Sequence, residues 1–122
     1  MITGVVNSDY EPIIRISIYS TNGQLYERDA VVDTGFNGWL SLPPDLVVIL
    51  GLPWQRRGRA ILADGSESIF DIYEATILWD DQPVTIPIDE ADSDPLIRMS
   101  LMEGYELTIQ IVDSGIVTIK KI

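Results

Sequence analysis

The run Ile13–Ser20, IIRISIYS, sets β-branched residues against polar ones at every second position and stops at Thr21-Asn22-Gly23. Alternation of this kind puts one set of side chains on each face of a strand. Asn-Gly accepts the positive φ angles that a tight hairpin needs. The same grammar recurs along the chain. Gln24–Asp33 reads as the returning strand and turns fully apolar at Ala30-Val31-Val32, as a strand does on entering a core. WLSL, after Asn37-Gly38, is a further short strand. Trp54–Trp79 reads as two long strands about Asp64-Gly65, a hairpin signal. Asp80-Asp81-Gln82 turns the chain again, Pro83–Ile88 alternates, and Asp113-Ser114-Gly115 divides a last pair of strands. A chain cut so often by turns buries its apolar positions best in a closed or sandwiched sheet.

Two segments break the pattern. Pro43–Gly51 and Pro95–Gly104 each start with Pro and end with Gly, which predicts two short helices. The length of 122 residues and the hydrophobic content of 46% suit one domain with its own core. No linker, repeat or low-complexity stretch divides it. The expected class is all-β, a single domain over 1–122 with one or two short helices.

Two absences limit the chemistry. The chain has no Cys and no His, which removes Cys-His and Ser-His-Asp catalysis and the usual zinc ligands. Its lysines are Lys120 and Lys121 at the C-terminal end, a poor place for a Ser-Lys dyad. Acid–base catalysis here falls to carboxylates, with Tyr as the weaker option. The net charge of −11 repels nucleic acid and anionic membranes. The first residues, MITGVVNSDYEP, lack the basic start and apolar core of a signal peptide. Leu46–Trp54, interrupted by Gly51 and Pro53, is too short to span a bilayer. A soluble, cytoplasmic protein is the expectation.

Among the carboxylates, Asp33 stands apart. It follows Val31-Val32 and precedes Thr34-Gly35, Phe36 and Asn37-Gly38. An Asp in a turn is ordinarily a turn former. An Asp at the end of a buried strand is placed to act as a reagent. The acidic run Asp89, Glu90, Asp92, Asp94 lacks the glycine and distal Glu of an EF-hand and reads as a solvated loop. Arg56, Arg57 and Arg59 read as a salt-bridged strand face, and Trp39, Trp54 and Trp79 as core or interface residues.

The segment VVDTGFNGWLSLPPDLVVILGLP resembles the active-site segment of the retropepsin-like aspartic proteases, in particular their small bacterial branch, the clan AA aspartic proteases. The resemblance continues in ILADGSESIFDIYEATILW, similar to the flap hairpin and its following strand, and in EADSDPLIRMSLMEGYELTI, similar to the apolar-apolar-Gly segment near the C-terminus. It implies a closed, barrel-like acid-protease fold. With one Asp-Thr-Gly in the chain, it implies a homodimer in which Asp33 of each subunit forms the catalytic pair across a two-fold axis. It assigns Thr34 and Gly35 to support of the active-site loop. It assigns Phe36, Ala63, Asp64, Gly65 and Ser66 to substrate contact and the flap over an extended peptide. It implies no metal or organic cofactor. In such proteins the terminal strands pair between subunits, and MITGVV and IVTIKKI are the candidates here.

One residue departs from that pattern. Leu96-Ile97 is followed by Arg98 where the family has Gly. A large, permanently charged side chain there is expected to displace the Asp33 loop, to reach Asp33 and hold it ionised, or to leave toward solvent or an interface. The first two make Arg98 a possible disruptor of peptidase activity, with Arg98→Gly restoring it. The expected function is therefore an aspartic endopeptidase. The alternatives are a catalytically impaired dimeric peptide-binding or scaffold module of the same fold, and a plain β-barrel binding domain in which Asp33-Thr34-Gly35 is incidental.

Overall fold

A computed structural model describes residues 1–122. The strands are β1 (Ile2–Val6), β2 (Pro12–Tyr19), β3 (Leu25–Val32), β4 (Leu40–Leu42), β5 (Trp54–Ile61), β6 (Glu67–Trp79), β7 (Gln82–Glu90), β8 (Leu96–Ile97), β9 (Tyr105–Ile109) and β10 (Ile116–Lys121). One helix, α1 (Pro44–Leu50), follows β4. Their order in the sheet is β5-β6-β7-β4-β8-β3-β2-β1-β10-β9, and β6 also pairs with β2. That extra pairing closes β6, β7, β4, β8, β3 and β2 into a ring. The expected barrel-like all-β architecture is therefore present. No helix is long and apolar enough to cross a membrane.

The alternation that marks the strands also sorts their side chains. Along β2, Ile14, Ile16 and Ile18 are buried while Arg15 is exposed. Ile14, Ile18, Leu40, Ile77, Ile88 and Ile97 belong to one apolar cluster inside the ring. Helix α1 adds Leu46, Val47 and Leu50 to that cluster. It begins at Pro44, where the missing N–H costs nothing, and ends at Gly51 in the left-handed region. The hairpins at Asn22-Gly23, Asp64-Gly65, Asp80-Asp81 and Ser114-Gly115 all form.

Three expectations are corrected. Pro95–Gly104 is not a helix. Leu96 and Ile97 form β8, parallel to β3 and antiparallel to β4. The next three N–H groups, of Arg98, Met99 and Ser100, donate to the carbonyls of Trp39, Phe36 and Gly38. Donors committed across the chain are not free for helical bonds, so only turns with three-residue spacing follow, at Leu101, Met102 and Glu103. Asp89 and Glu90, read as loop, are the last residues of β7, where they pair in register with Ser41 and Leu42 of β4. The terminal segments pair with each other in the same chain, Ile2 opposite Ile119 and Val5 opposite Ile116. That leaves β9 as the last strand on this side of the sheet.

Candidate active site

Asp33 is the first residue beyond β3, and its backbone N–H donates to the carbonyl of Ile97 at 2.8 Å. Its Oδ1 accepts the N–H of Gly35 at 3.0 Å. A Cβ on Gly35 would lie 3.3 Å from that same oxygen, so glycine lets the backbone close over the carboxylate. The loop continues through exposed Thr34, Phe36 and Asn37 and is tied down again at Gly38. There the N–H of Gly38 donates to Ser100 Oγ at 3.2 Å, and its carbonyl accepts the N–H of Ser100 at 2.8 Å. The segment Ile97–Ser100 thus runs along the Asp33 loop and holds it at several backbone points. Asp33 itself is half-buried at the lip of the core.

Arg98 lies beneath this loop. Its side chain is 16% exposed, so it does not leave toward solvent. It also makes no ion pair with Asp33, which is in none of the six ion pairs of the chain. Instead its Cζ sits 5.0 Å from the centre of the Phe36 ring, and its Nη1 lies 3.8 Å from Asp89 Oδ2. Room for the stem comes from Gly38, at φ +128°, where a Cβ would meet Arg98 Cδ at 3.3 Å and Asp89 Oδ2 at 3.4 Å. Burial pushes the Asp89 carboxyl above its ordinary range, and the charges of Arg98 and Arg56 offset part of that rise.

Hairpin β5–β6 arches beside the loop. Arg57 pairs with Asp71 at 3.4 Å and Arg59 with Glu67 at 2.6 Å across it, so two of the three arginines expected on a salt-bridged face are paired and Arg56 is not. Trp54 Nε1 also donates to Asp71, while Trp79 is buried in the core. At the tip, Ala63, Asp64, Gly65 and Ser66 are all exposed. Ser66 donates its hydroxyl and its N–H to Asp64 and holds that carboxyl below its ordinary range.

A cavity of about 360 Å³ lies between this hairpin and the Asp33 loop. Phe36 and Arg98 both line it. The four tip residues do not; the hairpin's walls do, through Ala60, Leu62, Ile69 and Phe70. Asp89, Glu90 and Asp92 add carboxylates. The sequence reading missed these wall residues, although Ala60 and Leu62 alternate toward one face of β5 and its continuation. The end of β7 comes beside them because β6 pairs with both strands, Ile72 lying opposite Arg56 on one side and Asp89 on the other.

The sheet end that carries Asp33 has a second feature. Ile116, Val5, Ile13, Val31 and Leu96 are neighbours across successive strands, and Asp33 lies two residues beyond Val31. In this row Val5 and Ile116 are each about half exposed, and Ile111 and Val112 in the adjoining turn are more so.

The fold is similar to that of a crystal structure of a retropepsin-like aspartic protease from Rickettsia conorii. The TM-score is 0.61 at 19% sequence identity, over 95% of this chain and 87% of that one. The fold is therefore retropepsin-like. No protein-family model and no curated protein matches the sequence.

Proposed function

We propose that this chain is an aspartic endopeptidase that acts as a homodimer, with one Asp33 from each subunit. The observation that carries the reading is the setting of Asp33. In a retropepsin-like fold, a half-buried carboxylate is held by backbone bonds at the root of a loop in which Phe36, three residues on, lines the cavity beside a hairpin. The chain has one such carboxylate, and hydrolysis of this type needs two. A two-fold axis supplies the second. Exposed Val5, Ile111, Val112 and Ile116, at the same sheet end, support a contact surface there.

The chemistry follows from the proximity of two carboxylates. Facing each other they cannot both stay ionised, so the pair shares one proton. The ionised member takes a proton from water, and the protonated member polarises the scissile carbonyl. The oxygen of that water then attacks the carbonyl carbon as the carbonyl oxygen takes the proton of the second carboxyl. Collapse of the tetrahedral intermediate breaks the C–N bond, and the carboxyl that took the proton of water passes it to the leaving amine. Thr34 and Gly35 brace the loops. An extended peptide adds as a strand, and Ala63, Asp64, Gly65 and Ser66 close over it and exclude bulk water.

The test is cleavage of an unfolded protein between about pH 3.5 and about pH 7.5, with wild type and Asp33→Asn compared at matched dimer mass. Asp33→Asn is expected to lose on the order of 10⁴-fold in rate while keeping the dimer. Equal cleavage by the two proteins sinks the reading. Peptide binding by a wild-type dimer that cleaves nothing points instead to the silent binding module.

A further inference from the structure

We infer that Arg98 is a positioning residue, whose guanidinium, held between the Asp89 carboxylate and the Phe36 ring, fixes that ring as the wall shared by the Asp33 loop and the cavity. The inference rests on the peptidase reading only in taking the cavity as the substrate site.

Four observations converge on it. First, the guanidinium is largely withdrawn from water, yet it has one carboxylate near it, at 3.8 Å, and its Nε has no hydrogen-bond partner. A buried cation with so few polar partners depends on what else it touches. Second, what it touches is the ring of Phe36, at 5.0 Å. A planar guanidinium stacks on an aromatic face in a way that an ammonium does not. Third, Gly38 leaves room for the stem, with its own backbone at a φ of +128°. Fourth, Phe36 is 48% exposed and has the backbone bond from Met99 N–H to its carbonyl, at 3.3 Å, as its main-chain tether. Without Arg98 the ring loses the guanidinium stacked on it, and a ring that exposed is free to rotate away from the cavity.

The sign of this inference is opposite to that of a disruptor. A disrupting Arg98 predicts higher activity in Arg98→Gly. A positioning Arg98 predicts weaker substrate binding in the same variant.

The chain contains two phenylalanines, Phe36 and Phe70, and both line the cavity. Incorporation of 4-fluorophenylalanine therefore gives two fluorine resonances, and Phe36→Leu assigns them. In Arg98→Gly the Phe36 resonance is expected to move and sharpen while the Phe70 resonance moves little. Arg98→Lys keeps the charge beside Asp89 and is expected to lie between. On a peptide substrate, Arg98→Gly is expected to raise KM about ten-fold and to change kcat by less than about three-fold, with partial rescue by lysine. An unmoved Phe36 resonance in a folded Arg98→Gly protein overturns the inference. So does a kcat/KM higher than that of wild type. If the wild type cleaves nothing, the peptidase reading fails, and the fluorine spectra still decide whether Arg98 positions Phe36. Should Arg98→Gly not fold, Arg98→Met keeps the stem, removes the charge, and is read by the same two resonances.

Discussion

The backbone N–H of Asp33 donates to the carbonyl of Ile97 at 2.8 Å, so a two-residue strand near the other end of the chain sets the height of the candidate catalytic carboxylate. Ile97 is fully buried in the same apolar cluster as Leu40 and Ile88. The site is thus anchored to the core by backbone on one side and by side-chain packing on the other.

Truncating that anchor tests the connection. Ile97→Ala removes buried methyl groups and is expected to cost about 2–5 kcal/mol of stability in urea unfolding. If the loop depends on this packing, activity measured well below the melting temperature falls as well. A large loss of stability with unchanged activity shows that the backbone bond alone suffices.

Two glycines give a matched pair. Gly38 and Gly65 both have positive φ, but a Cβ on Gly38 also meets Arg98 and Asp89, whereas a Cβ on Gly65 meets nothing within 4 Å. Gly65→Ala is expected to cost about 1 kcal/mol and Gly38→Ala about 2–3 kcal/mol. Equal costs in thermal and urea unfolding mean that the Arg98 stem yields without penalty.

Asp89 predicts a pH dependence. Burial raises its folded pKa above the unfolded value, so the folded state binds a proton there more readily than the unfolded one. Its contribution to stability is then most favourable below the unfolded pKa and is lost as pH rises through the folded pKa. The melting temperature of wild type relative to Asp89→Asn should fall as pH rises through that window. A relative rise with pH shows that the Arg98 pair outweighs the cost of burying the charge.

The dimer has its own test. Ile116→Glu places a charge in the exposed apolar row at the sheet end that carries Asp33. Sedimentation is expected to show a shift from dimer to monomer, with cleavage lost in parallel and strand content by circular dichroism unchanged. A fully dimeric Ile116→Glu protein moves the interface elsewhere.

Features that depend only on neighbours along the chain are legible in the residues alone. Strand periodicity in Ile13–Ser20 and the turns at Asn22-Gly23 and Asp64-Gly65 are local, because side-chain alternation and positive φ need no distant partner. The helix expected over Pro43–Gly51 forms as α1, starting one residue later at Pro44, and Asp33 stands out because the apolar Val31-Val32 leads directly to it. The remaining features come from contacts between residues far apart in the chain. Pro95–Gly104 has the composition of a helix, but its N–H groups at Arg98, Met99 and Ser100 found carbonyls in the Asp33 loop. The terminal strands met each other within one chain because β1 lies between β2 and β10. Arg98 takes its place from Gly38, Phe36 and Asp89, which the pairing of β4 with both β7 and β8 brings to it. A charged side chain withdrawn from water is placed by the partners that compensate it, and those partners are set by folding rather than by adjacency in sequence.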